Sequence, residues 1–320
     1  MKLPKLHIGK LTANIPIIQG GMAVRISTGR LAGAIAAAGG IGTIGASGMA
    51  FDELAREIKI ARELAKGGIV GINIMYAAKE FLGIVYTAVK EKVDFIASGA
   101  GFSRDLFKIG REFKVAVLPI VSSARLAMTA RRLGADAIIV EGKEAGGHLG
   151  TDESIEKIIP EVKAAVSGIP VIAAGGITDG CDIVRMFKLG ADGVQIATRF
   201  VLAEECNASE EYKKVYQNAK KEDVVIITSP VGMPGRALKT KFVEKILDKT
   251  VPKPVGCDYC LKKCNLEYCI IQALINSQRG DVENGVVFSG ENVWKIKDRR
   301  IKPAKEIMAD LVREAEECKI

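Results

Sequence analysis

Long hydrophobic runs are missing from this 320-residue sequence. No apolar stretch approaches the roughly 18 to 20 residues that cross a bilayer, so a transmembrane helix is not expected. The opening residues Met1 to His7 are mildly basic, but no apolar segment stands behind them, and a secretory signal is not expected either. Concentrated charge is scarce too. The net charge is +8, yet only Lys295 to Lys302 gathers basic residues into a run. A dispersed excess fits solvated helix faces better than a nucleic-acid footprint. If it has a functional meaning, an acidic protein or a phosphate-bearing substrate suits it better than DNA. Histidine is nearly absent, with His7 and His148 the two in the chain.

What is present supports a large core. Apolar residues make up 48% and charged residues 26%, which reads as a cytoplasmic globular enzyme. The length allows two domains, or one α/β barrel with an extension. From Ile15 the chain repeats one grammar: a short apolar strand, a glycine-rich end, then a stretch of helical spacing. The strands expected are 15–19, 41–45, 69–75, 93–97, 115–121, 137–141, 170–174 and 193–197. Between them lie helices such as Phe51 to Lys66, where Leu54, Ile58, Ala61 and Ala65 recur at three- and four-residue spacing. Ser27 or Thr28 can cap the helix through Ala38, Asp152 can start the one through Val166, and Gly39, Gly134 and Gly190 suit αL stops.

Strands alternating with helices imply a parallel sheet, and eight such units in about 200 residues predict a (β/α)8 TIM barrel. A literal G-x-G-x-x-G does occur, from Gly40 to Gly45, but it overlaps a strand instead of opening a helix. It is therefore not a dinucleotide fingerprint.

In such a barrel the C-terminal strand ends converge on one face, where active sites form. This chain places Gln19-Gly20-Gly21-Met22, Asn73, Ser98 to Gly101, Glu141 through His148, Ala174-Gly175-Gly176-Ile177 and Gln195 to Thr198 there. Gly175, Gly176 and Thr198 suit a phosphate site, and a ligand held there would extend toward Met22, Asn73 and His148. Flavin mononucleotide (FMN) fits that pose. His148 is the candidate proton-transfer group, because imidazole titrates near neutrality and the glycines beside it admit a ligand close to the backbone.

Beyond Phe200 the barrel grammar ends. Leu202 to Lys221 reads as a helix interrupted at Asn207, followed by the apolar run Val224 to Thr228. The turn-rich segment Ser229 to Arg236 holds two prolines and two glycines, which argues against regular structure and allows a lid or a connector. Ala304 to Cys318 has the spacing of a docking helix. The domains expected are 1–205, a barrel binding FMN, and 206–320, an extension with the lid-like turn, a cysteine cluster and the docking helix.

The cysteines are uneven. Cys181, Cys206 and Cys318 stand alone, while Cys257, Cys260, Cys264 and Cys269 form one cluster, which in a cytosolic chain points to metal or redox chemistry and not to a disulfide framework. Four thiolates meet the donor count of a tetrahedral zinc site or a [4Fe–4S] cluster, although the x2, x3, x4 spacing matches neither ferredoxin pattern. The bland alternative is four cysteines packed as small hydrophobes.

Five ordered motifs carry a family resemblance: Pro16 to Met22, Gly71 to Met75, Glu141 to His148, Ala173 to Ile177 and Gln195 to Phe200. They resemble the nitronate monooxygenases, formerly 2-nitropropane dioxygenases, with the related flavin-dependent enoyl-acyl-carrier-protein reductase II. The likeness spans roughly residues 10 to 205 and continues through Ser229 to Arg236 and Phe288 to Glu291. It implies a TIM barrel binding FMN noncovalently. Gly21 and Met22 would lie by the isoalloxazine and Asn73 would hydrogen-bond it. Gly147 would line the pocket, and Gly175, Gly176, Gln195, Ala197 and Thr198 would hold the phosphate end. Many relatives have Gly where this chain has Ala197, which weakens that one assignment.

The resemblance implies His148 as the catalytic histidine, in either of two reactions. As a monooxygenase, the enzyme would oxidise an alkyl nitronate or nitroalkane with His148 as base. As a reductase, it would pass hydride from NAD(P)H through flavin to an enoyl thioester, with His148 as proton donor. The Ser229 to Arg236 turn looks more like the first branch. A third reading is a non-redox barrel for a phosphate-bearing ligand. The partners expected are a small nitronate or an enoyl thioester, an acyl carrier protein in the second case, and a second copy of the chain. Nucleic acid and membrane are not expected. An iron–sulfur cluster would relay single electrons to the flavin, whereas zinc would pin the region before the last helix.

Overall fold

A computed structural model describes residues 1–319. A short antiparallel hairpin opens the chain, β1 (Leu6–Ile8) and β2 (Leu11–Ala13). Strand–helix units follow: β3 (Ile17–Gln19), α1 (Gly29–Ala37), β4 (Ile41–Gly45), α2 (Phe51–Ala65), β5 (Ile69–Met75), α3 (Phe81–Lys90), β6 (Phe95–Gly99) and α4 (Arg104–Phe113). Next come β7 (Ala116–Val121), α5 (Ala124–Leu133), β8 (Ile138–Glu141), the two-residue β9 (Gly147–His148), α6 (Ile155–Ala165), β10 (Val171–Ala174), α7 (Gly180–Lys188) and β11 (Gly193–Ile196). Strands β3 to β8, β10 and β11 close into one parallel barrel, β11 pairing with β3 in the register Val194↔Ile17, Gln195↔Ile18 and Ile196↔Gln19.

Closure follows from strands that are apolar on both faces, as parallel strands covered by helices must be. Ile18, Phe95, Ala97, Leu118, Ile139 and Ile172 point into the barrel. Their neighbours Ile17, Ile96, Val117, Val140, Val171 and Val194 point out under the helices. Leu6, Ile8 and Ala13 of the hairpin join the inner cluster. They plug the end where the strands start, so the opposite end is left for a ligand. The expected strands are all there, trimmed by one or two residues in places, except that the one expected at 93–97 is shifted to Phe95–Gly99; Gly40 to Gly45 lies on β4 and the turn before it. The hairpin was not legible from strand periodicity because each strand has three residues.

Much of the remaining chain folds over the open end. A 3₁₀ turn (Thr198–Leu202) leads to α8 (Glu210–Asn218), then β12 (Val224–Thr228), β13 (Pro234–Leu238) and α9 (Lys241–Leu247). After it come α10 (Ile270–Arg279), β14 (Val287–Phe288) and α11 (Ala304–Glu317). β13 pairs antiparallel with β12, β14 and β9, so the short strand bearing His148 joins this second sheet.

Several expectations need correction. The Ser229 to Arg236 segment is not wholly irregular: it is a hairpin turn that enters β13 at Pro234, a strand-start position where the missing N–H costs little. Of the interrupted helix expected over Leu202 to Lys221, the part after Asn207 forms α8, capped by Ser209, and the part before it is not α-helical. Helix α6 is capped by Ser154 and not started at Asp152. Thr28 occupies the cap position of α1 without a side-chain bond, and the Ser27 hydroxyl accepts from Met22 N and Gly45 N instead of capping the helix. Cys181 and Cys318 are not solitary: α11 packs on α7, bringing their Cα atoms to 5.4 Å, and they form a disulfide. Cys206 is free and buried.

The basic run is consumed internally. Arg299 donates to the carbonyls of Ile296, Gln217, Ala219 and Trp294, while Arg300 and Lys302 pair with Asp298. Among the described residues no helix is long and apolar enough to cross a membrane.

Candidate active site

Each barrel strand delivers a short loop to the mouth, and one cavity there is lined by all ten residues expected at the ligand site. They are Gly21, Met22, Asn73, Gly147, His148, Gly175, Gly176, Gln195, Ala197 and Thr198. Several are held tightly. Met22 N donates to Ser27 Oγ at 2.8 Å, and Ser27 N donates back to Met22 O at 3.0 Å. A Cβ on Gly21 would fall 2.4 Å from Asn73 Cβ, so the loop after β3 can lie over Asn73 only without a side chain.

The opposite wall is a glycine turn. Gly175 and Gly176 adopt φ of +110° and +71°, and a Cβ on Gly176 would come within 2.9 Å of Glu144 Cβ. Consecutive glycines in this region can turn backbone N–H groups toward an anion. Thr198 begins the 3₁₀ turn, and its Oγ1 accepts from Gly290 N at 3.0 Å. Ala197 is accommodated because it faces Gly20, where an added Cβ would stand 3.2 Å from the Ala197 methyl.

His148 is positioned by the second sheet. Gly235 on β13 pairs with it, Leu149 N donates to Pro234 O at 2.8 Å, and the ring stands edge-on to Phe288 with centroids 5.1 Å apart. Arg236 fixes the preceding loop by donating from Nε to Ala145 O at 3.1 Å and from its guanidinium to Lys143 O at 2.6 Å. The ring Nε2 lies 2.7 Å from Ser229 Oγ. Burial pushes the imidazole down to about pKa 4, so it is neutral at pH 7 and one ring nitrogen carries a lone pair.

A second titratable group opens on the same cavity. Glu141 ends β8, and burial raises its carboxyl to about pKa 8. It is therefore mostly a neutral acid at pH 7. Two groups of one cavity, pushed apart so that the carboxyl is protonated and the imidazole is not, form a matched proton donor and acceptor.

Sequence reading gave Glu141 no role, and treated Ser229 only as the start of a turn. Tyr212 and Tyr216 were missed as well; they stack with centroids 5.6 Å apart and line the cavity from α8. Glu141 was placed at the mouth by its strand end but given no chemistry; no local signal marks Ser229, Tyr212 or Tyr216, which reach the mouth through packing between distant segments. Among the described residues no three His, Cys, Asp or Glu side chains are placed to share one metal ion, so neither the zinc nor the iron–sulfur expectation for Cys257, Cys260, Cys264 and Cys269 is shown.

Comparison with known proteins agrees with this geometry. A family profile described as nitronate monooxygenase matches residues 5–90 and 71–314. A (3aS,4S,5R,7aS)-5-hydroxy-7a-methyl-1-oxo-octahydro-1H-indene-4-carboxyl-CoA dehydrogenase of Mycobacterium tuberculosis is 34% identical over 72% of the chain, a match that spans 65% of that relative's length. A probable nitronate monooxygenase of Staphylococcus saprophyticus is 28% identical and covers 96% of the chain and 99% of its own length. Among solved structures, FabK of Thermotoga maritima superposes with a TM-score of 0.85 at 34% identity, covering 95% of this chain and 94% of that one. A nitroalkane oxidase of Streptomyces ansochromogenes, at 22% identity and a TM-score of 0.81 over 95% and 96% of the two chains, shares the fold.

Proposed function

The chain belongs to the nitronate monooxygenase family, a family of flavin-dependent oxidoreductases, and within it we propose that FMN binds at the barrel mouth and that a small nitroalkane or its nitronate is oxidised there, with His148 as the base. The glycine turn at Gly175 and Gly176, the Thr198 turn and the side-chain-free approach of Gly21 to Asn73 fit such a cofactor. Gly175, Gly176, Gln195, Ala197 and Thr198 would hold its phosphate end, and Gly21, Met22, Asn73 and Gly147 its ring. When bound, FMN supplies the acceptor for the substrate's electron pair. The division of the chain near residue 205 belongs to the same proposal, the barrel carrying the cofactor and the extension carrying Ser229 and the β13 edge that fixes His148.

The observation that carries this reading is the neutral His148 ring held at 2.7 Å from Ser229. The unprotonated nitrogen accepts the proton that leaves carbon next to a nitro group, and Ser229 keeps the ring in one orientation. The phenol of Tyr268 donates to Thr228 O at 2.9 Å, bracing the strand end that presents Ser229.

A second reading has its own support. Reduction of an enoyl thioester consumes a proton; His148, the donor expected from the resemblance, is held neutral by burial, whereas the Glu141 carboxyl on the same cavity is protonated and can give one. The chain is 34% identical to FabK, an enoyl-acyl-carrier-protein reductase II. In that reading NAD(P)H supplies hydride, an acyl carrier protein presents the substrate, and the basic surface favours the acidic carrier. Pairing of two copies of the chain is compatible with either reading. Rapid mixing of the flavin-loaded protein with nitronate, and separately with NADH or NADPH, distinguishes them: flavin bleaching by nitronate supports the first, and bleaching by nicotinamide alone overturns it.

A further inference from the structure

The segment between α9 and α10 holds a second site. It contains no helix or strand, yet it is fastened to the barrel mouth. Leu261 bridges Ala78, Lys79 N donates to Cys260 O at 3.0 Å, Lys262 N donates to Ala77 O at 2.9 Å, and Asn265 N donates to Pro230 O at 3.0 Å. Lys262 also places its ammonium 3.6 Å from the centroid of the Tyr76 ring. These bonds hold the segment against the loop after β5 and the turn beside Ser229.

All four clustered cysteines open on one cavity within this segment. Leu261, Ile270 and Ile271 line both that cavity and the barrel-mouth cavity, so the two are separated by a single apolar wall. Packing as small hydrophobes does not account for them, because Cys257 and Cys264 are exposed and Cys260 and Cys269 are half-buried.

Their surroundings suit thiolates bound to a cation. Tyr259 N lies 3.3 Å from Cys257 Sγ, and Gln272 N lies 3.5 Å from Cys269 Sγ. Backbone N–H bonds to sulfur orient cluster ligands and tune them. Cys269 is the N-cap of α10, where the helix end favours a negative sulfur. No three of these donors converge on one point. Four cysteines lining one cavity meet the donor count of a polynuclear cluster, in which each cysteine binds a different iron.

We propose that Cys257, Cys260, Cys264 and Cys269 ligate a [4Fe–4S] cluster next to the barrel mouth. The site does not depend on which substrate the barrel takes, and flavin content is read separately. The test is iron, acid-labile sulfide and zinc analysis of the full chain purified without oxygen, with electron paramagnetic resonance after dithionite reduction. About four iron and about four sulfide per chain are expected. In the C257S/C264S double variant, which alters two exposed side chains, iron should fall below about one per chain while flavin content and melting temperature hold. About one zinc without sulfide, no metal at all, or iron unchanged in the double variant would each overturn the proposal.

Discussion

His148 Nε2 and Ser229 Oγ meet at 2.7 Å across 81 residues of sequence, one from the loop after a barrel strand and the other from the turn of the covering sheet. The contact exists because β9 pairs with β13, and it gives the imidazole one orientation over the cavity.

The base role separates two substrates. With His148→Ala, turnover of a neutral nitroalkane should fall by about 10²- to 10⁴-fold, the usual contribution of a positioned proton acceptor. Turnover of a preformed nitronate, which has already lost its proton, should fall far less, and bound FMN should be unchanged. Equal losses on both would remove the base role. Ser229→Ala should lower kcat by up to about 100-fold with little change in KM, because it loosens the ring without touching the substrate.

Glu141 and His148 predict opposite pH effects on stability. The Glu141 carboxyl is raised to about 8 in the fold, so the folded state holds a proton that the unfolded chain releases near pH 4.5. Its stabilisation is complete below that value and is lost as pH rises toward 8. Glu141→Gln mimics the protonated form, so its melting temperature relative to the parent should climb between pH 5 and about 8. For His148 the folded value is depressed to about 4. Its contribution is complete above pH 6.5 and is lost as pH falls toward 4, a dependence that His148→Gln should flatten. Thermal melts across this range measure both, and parallel curves for parent and variants would contradict the assigned protonation states.

The glycine wall makes a separate prediction. Gly176→Ala would force an alanine into a φ of +71° with its Cβ 2.9 Å from Glu144 Cβ. FMN affinity should drop at least about tenfold, a cost of roughly 1.4 kcal/mol, as read by fluorescence titration. Gly168, which also has positive φ but nothing within 4 Å of an added Cβ, is the control. Equal flavin affinity in parent and Gly176→Ala would place the phosphate elsewhere.

The barrel was legible in the sequence because its strands are buried on both faces and bounded by glycines. Ile41 to Gly45 and Ile69 to Met75 announce themselves without reference to any distant residue. The glycine turn at the barrel mouth was legible for a related reason, since Gly175 and Gly176 follow a strand directly. The covering sheet was not. β9 has two residues, β13 begins with a proline, and their pairing joins positions 148 and 235, which no local period reveals. Glu141 was visible as a letter but not as an acid, because only its burial at the mouth raises its carboxyl. Cys181 and Cys318 looked solitary because 137 residues separate them and α11 brings them together.

The most direct test of the central claim is oxygen-free stopped-flow absorbance of the flavin-loaded protein mixed with a neutral nitroalkane, run on the parent and on His148→Ala. The account predicts flavin bleaching in the parent and its loss in the variant, with bleaching by a preformed nitronate largely kept in both. Rapid bleaching of the parent by NADH or NADPH, with none by nitroalkane or nitronate, would contradict it and assign the site to thioester reduction.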